Sequence, residues 1–528
     1  MEETIVFSVN RKNLAAGIFL GVCSFLFLLY LSSHHTETGI NHDEAYILNL
    51  ADQIYQGNGF VTPVLWQLYL MPESLPMPYA GAVGPLPSIF IAGCFLLFGV
   101  TPFAMHFPGM ILGSLIAPAT FILALRFELS GWRAFAAGCV TTVHPFLAYN
   151  SNKIMTDIPS AAFVLCGFVL LFGRRSNVTN ILLGVTWGLA YLCRYQALLF
   201  GLVIVASWLI SRQLTPRDVG VACAAFTLTV LPWLVRGAVV FGNPFYTHAS
   251  EYYWLIAHVP EQVQLVRRTT PPPDQIVYLM EHGPTYLAAT LGRIKAMVFY
   301  TTDVVAPNTA LALGCVLGLV RMRKELRAFI PAIIYCGIMV AFFLTSYLEP
   351  RYLLSVAPLV VIGGVGGLSF ITRTALQPVK HARVLEPLAI VAILCVYMVV
   401  DSVRMADEDG KRSFGRRAET AFEARPFFSG FPPWSFAIMA TAPEHYALFH
   451  RQYAVSLPLN IREDIREIIA RYDVRYVVLQ DREAAEFESL PEDIRAGFQE
   501  VFKGQNVHII EVLTPDTSLN NLQLETEG

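Results

Sequence analysis

Two acidic residues stand side by side at Asp43 and Glu44, within the stretch NHDEAYILNLADQIYQGNGF (41–60). A carboxylate near a bilayer surface with no cationic neighbour gains proton affinity and can act as a general base towards a hydroxyl. The setting has that character, since residues 33–85 contain no Lys or Arg. The pair also has a structural use: Asp43 can cap a helix that begins near Glu44 and closes at Gly57. Local sequence leaves both uses open.

His34, His35 and His42 precede the pair. Imidazole and carboxylate together suit Zn²⁺ or Mn²⁺, but this spacing matches no recognised ligand motif. A solvated polar loop is the simpler account; no metal ligand is assigned and a divalent metal is left open. Further along, SNKIMTDIPSA carries Lys153 and Asp157. Thr156 or Asp157 can cap the segment that follows, with Pro159 in its first turn. In SYLEPRYLLSVAPLVV, Glu349 and Arg351 lie between Tyr347 and Tyr352. This reads as an aromatic interface belt, and an arginine there also suits a phosphate, which it grips with two parallel N–H groups. Arg194 stands between two apolar runs and reads as a tight turn.

These residues need elements to hold them, and the composition says which kind. Of 528 residues, 55% are hydrophobic and only 15% charged, against about 25% charged in soluble domains. Mean hydropathy is +0.50. Apolar runs near the roughly 18–20 residues needed to cross a bilayer recur along the chain. The fold class is therefore an α-helical polytopic membrane protein. The net charge of −3 is uninformative, and no basic cluster suggests a nucleic-acid partner. All nine cysteines lie in apolar segments, with neither a disulfide framework nor a CxxC motif.

Candidate spans are 14–32, 107–125, 134–150, 158–173, 180–194, 196–211, 218–240, 306–320, 328–347, 352–371 and 386–401. The first lacks a small-residue cleavage site after it and reads as a retained signal anchor. The run 86–99 is short and reads as an interfacial or re-entrant helix. With the N-terminus inside, every cationic cluster between spans then falls on one side, as cytoplasmic loops require. About eleven spans result, with one or two membrane-surface helices in a large first outer loop, 33–106. Asp43, Glu44, Lys153, Asp157, Glu349 and Arg351 share the outer side. The spans themselves hold few ionisable residues, which speaks against an ion-coupled transporter.

The composition shifts at 402, giving an expected division into a membrane domain, 1–401, and an extracytoplasmic domain, 402–528. In the latter, FAIMATA (436–442), VRYVVLQ (474–480) and VHIIEVL (507–513) read as strands. Between them Ile461, Ile465, Ile468 and Ile469 recur at helical spacing. A small α/β domain of about 100 residues is expected. It has no Gly-rich phosphate loop, so no nucleotide is assigned.

Several of these stretches together resemble the GT-C glycosyltransferases, of the protein mannosyltransferase and aminoarabinose–lipid A transferase type. They are HDEAYILNLADQIYQGNGF, KIMTDIPSAAF, GLAYLCRYQALLF (188–200), PWLVRGAVVFGNPFY (232–246) and EPRYLLSVAPLVV (349–361). ATAPEHYALFHRQYAVSLP (440–458), ahead of VRYVVLQ, resembles the outer domain of many bacterial members. The resemblance covers most of the chain, and the Asp-Glu pair is its most specific part. It implies transfer of a sugar from a polyprenyl-phosphate donor to an acceptor on the outer face, with inversion at the anomeric carbon. It implies Asp43 as the base, Glu44 as a residue that shapes the site, and Asp157 as one that positions acceptor or donor.

Arg351 and Lys153 are the candidate partners of the donor phosphate, with Tyr46 and Glu349 as further substrate-binding candidates. One departure stands out: some lipid A transferases hold the phosphate with basic residues of the first outer loop, and here Tyr46 follows the acidic pair in a loop without cations. The expected partners are a lipid-linked sugar, a protein, lipid or glycan acceptor, and the membrane, in a multi-pass protein of the bacterial inner membrane. The alternatives are a flippase for a lipid-linked sugar, which needs no base, and an envelope polysaccharide polymerase or ligase.

Overall fold

A computed structural model describes residues 11–33, 40–81, 83–248, 266–300, 304–321, 326–345, 349–376, 382–411 and 415–513. Residues 1–35, 80–258 and 275–408 form one compact unit; residues 36–79, 259–274 and 409–528 form a second. Residues 36–79, the first half of the expected outer loop, thus fall in the same unit as the C-terminal residues.

The first unit is helical. Among the described residues, five helices are long and apolar enough to cross a membrane: Arg11–Ser32, Pro102–Arg126, Pro216–Phe241, Ala357–Leu376 and Leu388–Glu408. Shorter apolar helices accompany them, among them Leu86–Phe98, Asp157–Leu171 and Asn177–Cys193. This is a multi-pass membrane protein. Its first helix shows the solvent it expects: Leu14, Ile18, Val22 and Leu26, spaced by four, are each more than half exposed, while Leu20, Leu28 and Leu31 are buried. An outward stripe of that kind has its natural partner in lipid.

With lipid on the outside, helices associate by close packing rather than by apolar burial alone. Helices Thr309–Arg321 and Ala357–Leu376 meet through Gly314 and Gly318 on one and Gly363, Gly364 and Gly367 on the other. A methyl group at Gly367 would overlap the Gly314 carbonyl oxygen. The expected outer loop 241–305 contains a 26-residue helix, Gln275–Tyr300. Its periodicity is masked in the sequence by Pro284 and by a non-helical His282 (φ −120°) that kinks it.

The second unit is α/β. Its sheet has the order β2-β5-β4-β6-β8-β7, where β2 is Val64–Leu65, β4 Ala437–Ala440, β5 Tyr453–Ser456, β6 Val474–Leu479, β7 Phe498–Lys503 and β8 His508–Val512. The first four strands in that order run parallel and the last two pairings are antiparallel. A separate small ladder pairs β1 (Val61–Thr62) with β3 (Met77–Pro78).

Alternation along the strands feeds two cores. Ala437, Met439, Val455 and Val477 face one core with Ile461, Ile465 and Ile468 of helix Ile461–Tyr472. Ile438, Ala440, Ala454 and Val478 face the other with Phe428, Tyr446 and Ala447. Parallel strands covered on both faces carry apolar residues at every position, and all four residues of β4 are buried. Strand β2 comes from the first outer loop and pairs with β5 through Val64–Ala454 and Leu65–Val455.

Candidate functional site

In the second unit, the acidic pair opens helix His42–Tyr55. Its cap is Asn41, not Asp43. The Asn41 side chain accepts from the Glu44 backbone N–H at 3.0 Å, and the Asn41 backbone N–H donates to Glu44 Oε2 at 2.8 Å. This reciprocal capping box satisfies two otherwise unpaired helix-end donors. Glu44, 1% exposed, is therefore committed to shaping the helix start. Asp43 lies in the first turn, partly exposed, where the helix dipole favours a negative charge. One turn on, the Tyr46 ring centroid is 5.7 Å from that of Tyr79. The Tyr46 hydroxyl is buried with no hydrogen-bond partner among the described residues, and burial pushes its proton affinity up.

Beside the acidic pair, His42 is taken by Glu444 of helix Pro443–His450. His42 Nδ1 is 2.5 Å and His445 Nδ1 2.9 Å from Glu444 Oε1, and Glu444 is fully buried. Burial alone would raise its proton affinity; the His42 charge beside it and the contacts from His42 and His445 outweigh that and hold the carboxyl well below its usual range. Of the histidines in the metal cluster considered from sequence, His34 and His35 lie outside the described residues. No group of three or more His, Cys, Asp or Glu side chains has metal-site geometry among the described residues.

In the helical unit, a second cluster gathers on Asp157. This residue is the first of helix Asp157–Leu171, after Thr156, whose side chain makes no cap bond. The carboxylate, 4% exposed, bonds Arg194 through Oδ1 and faces Arg351 Nε at 3.9 Å through Oδ2. Arg194 follows helix Asn177–Cys193 directly, and its guanidinium stacks 3.9 Å from the Tyr352 ring centroid. Arg351 sits in the short turn Pro350–Leu353 and donates to Met155 Sδ at 3.4 Å. Two guanidinium groups thus converge on one carboxylate.

They line a pocket together with Gln196, Tyr335 and Ser355. Tyr335 donates to Ser355 Oγ at 2.7 Å on that wall. Such a pocket, lined by planar guanidinium donors, is chemically suited to a phosphate oxygen.

The structure thus brings Asp157 and Arg351 together, as two of the residues singled out in the sequence. It adds Arg194, read there as a turn residue. The available signal was a lone cation between apolar runs on the same outer side as Asp157. Lys153 is buried with its ammonium 5.1 Å from the Tyr149 ring centroid. Glu349 precedes the Arg351 turn without a side-chain cap bond. Neither is among the described residues lining the pocket. Glu444 and His445 have no role legible in the sequence, because their partners Ile40, His42 and Asn49 lie about 400 residues earlier.

Comparison with known proteins fits these features. The family profile described as dolichyl-phosphate-mannose-protein mannosyltransferase matches residues 82–235. No curated protein sequence matches the chain. Among solved structures, ArnT from Cupriavidus metallidurans bound to undecaprenyl phosphate superposes with a TM-score of 0.59 at 15% identity, covering 94% of this chain and 98% of that one. An oligosaccharyltransferase from Archaeoglobus fulgidus superposes with a TM-score of 0.58 at 14% identity, covering 89% of this chain and 69% of that one. The chain has the GT-C glycosyltransferase fold.

Proposed function

We propose that this GT-C-fold chain is an inverting glycosyltransferase that moves a sugar from a polyprenyl-phosphate donor to an acceptor hydroxyl on the extracytoplasmic face of the membrane. The observation that carries this reading is the pocket in which the guanidinium groups of Arg194 and Arg351 converge on Asp157. A lipid phosphodiester carries one negative charge and leaves as a monoester with up to two. Donors fixed beforehand on the side where that charge grows stabilise the transition state more than the ground state. The Cupriavidus metallidurans structure, which is bound to undecaprenyl phosphate, supports the same donor class.

Asp43 is the base in this scheme. It takes the proton as the acceptor oxygen forms its bond to the anomeric carbon and the bond from that carbon to the phosphate oxygen breaks. A single displacement of this kind inverts the centre and needs one base only. Because Asn41 and Glu44 supply the capping box, the helix does not depend on Asp43 for its cap. Asp157 acts through the two arginines, holding their planes; Tyr46 retains its phenolic proton and is a donor for the substrate.

The test uses the purified full chain in lipid, radiolabelled undecaprenyl-phosphate sugars and an envelope extract. Wild type is expected to transfer a sugar that Asp43→Asn does not. Equal transfer by a folded Asp43→Asn protein removes Asp43 as base. Movement of donor across the vesicle membrane, without transfer and indifferent to the substitution, replaces the enzyme with a flippase.

A further inference from the structure

Glu444 is an acidic side chain with no exposure at all, and its Oε2 has no hydrogen-bond partner among the described residues. Burying a carboxylate is costly unless charges compensate it, and an apolar replacement commonly serves stability as well. Its compensation comes from one direction. The Oε1 atom is 2.5 Å from His42 Nδ1 and 2.9 Å from His445 Nδ1. His445 uses its other ring nitrogen on the Ile40 carbonyl at 3.0 Å. The Glu444 carbonyl accepts from Asn49 Nδ2 at 2.8 Å.

Two consecutive residues therefore grip Ile40, His42 and Asn49. The first two flank the Asn41 cap, and the third lies nearly two turns further along the same helix. Contacts at both ends of that stretch fix the helix along its axis and about it. His42 itself is the residue directly before Asp43. Farther on, Arg451 Nη2 reaches Asp52 at 3.3 Å, so the grip extends to the end of the helix.

We propose that Glu444, with His42 and His445, is a positioning device for Asp43: it sets the angle and depth at which the first turn presents that carboxylate. This rests on the reading of Asp43 as base. A base works only within hydrogen-bond reach of the proton it takes, and small misplacements of such a group lower rates steeply. The device acts on turnover rather than on donor binding, because it touches the helix that carries the base and not the Asp157 pocket.

The experiment compares wild type, Asp43→Asn, Glu444→Gln, Glu444→Ala and His42→Asn as full chains in lipid, with the same undecaprenyl-phosphate sugars. It measures kcat, donor KM, thermal unfolding and amide exchange over residues 40–50. Glu444→Ala is expected to lower kcat by roughly tenfold to a hundredfold with donor KM within about twofold of wild type. Faster exchange over 40–50 accompanies the loss, and Glu444→Gln falls between. Wild-type kcat in a folded Glu444→Ala protein, beside an inactive Asp43→Asn, overturns the positioning role and leaves the base in place. An active Asp43→Asn overturns the underlying reading instead. A kcat loss with unchanged exchange over 40–50 and a general drop in unfolding temperature reduces Glu444 to core stability and also overturns the role. If Glu444→Ala does not fold, His42→Asn and Glu444→Gln decide: normal kcat in both sinks the proposal. The exchange readout applies whichever sugar the enzyme uses.

Discussion

Arg194 and Arg351 reach Asp157 through different oxygens, and the two arginines are not equivalent. Arg194 is pinned twice, by the carboxylate and by the face of Tyr352. Arg351 stands at 3.9 Å and shares its donors with Met155. A lysine at 194 keeps the charge but loses the planar fork and its stacking. Losing a charge-assisted bond of this kind costs about 1.5–3 kcal/mol, so Arg194→Lys is expected to lower kcat/KM for the donor by roughly ten- to a hundredfold. Steady-state kinetics against donor concentration check this. An unchanged kcat/KM would show that the planar arrangement is not what the pocket uses. Arg194 was overlooked in the sequence for a simple reason: its partner belongs to a different helix, and no local spacing links the two.

At the scale of elements, the start of helix His42–Tyr55 is set by a four-residue signature, Asn41 to Glu44, rather than by its apolar face. Loss of such a cap costs about 1 kcal/mol. Asn41→Ala is expected to lower the unfolding temperature slightly, speed amide exchange in the first turn and reduce transfer. Full activity with accelerated exchange would separate helix order from catalysis.

Elements with internal periodicity were readable from the chain. Ile461, Ile465 and Ile468 announce their helix, and the β-branched runs at 474–480 and 507–513 announce β6 and β8. Strand β2 was not readable. It is two residues long, lies next to Pro63, and its ladder partner is β5 in a distant part of the sequence. The 275–300 helix was hidden because Pro284 and His282 interrupt its pattern, although the chain absorbs them as a kink.

At the scale of the whole molecule, residues 36–79, the first half of the expected outer loop, share one folded unit with the C-terminal residues. Val64, Leu65 and Leu68 of the loop are fully buried in that unit. Removal of 409–528 therefore takes away the sheet on which 36–79 is built. The chain ending at 408 is expected to insert in the membrane but to be cleaved by protease within 40–79 and to transfer no sugar. Protection of 40–79 with retained transfer would show instead that the loop folds without the sheet.

Ser456 Oγ donates to the Trp66 carbonyl, 390 residues earlier in the chain. That separation has a temporal meaning. At roughly 5–20 residues per second, a ribosome needs on the order of 20–80 seconds to deliver the partner strand after the loop has emerged. Throughout that interval residues 36–79 lack the strands that complete their unit. Residues 36–79 therefore wait for partners made at the far end of the chain, and their unit closes only late in synthesis.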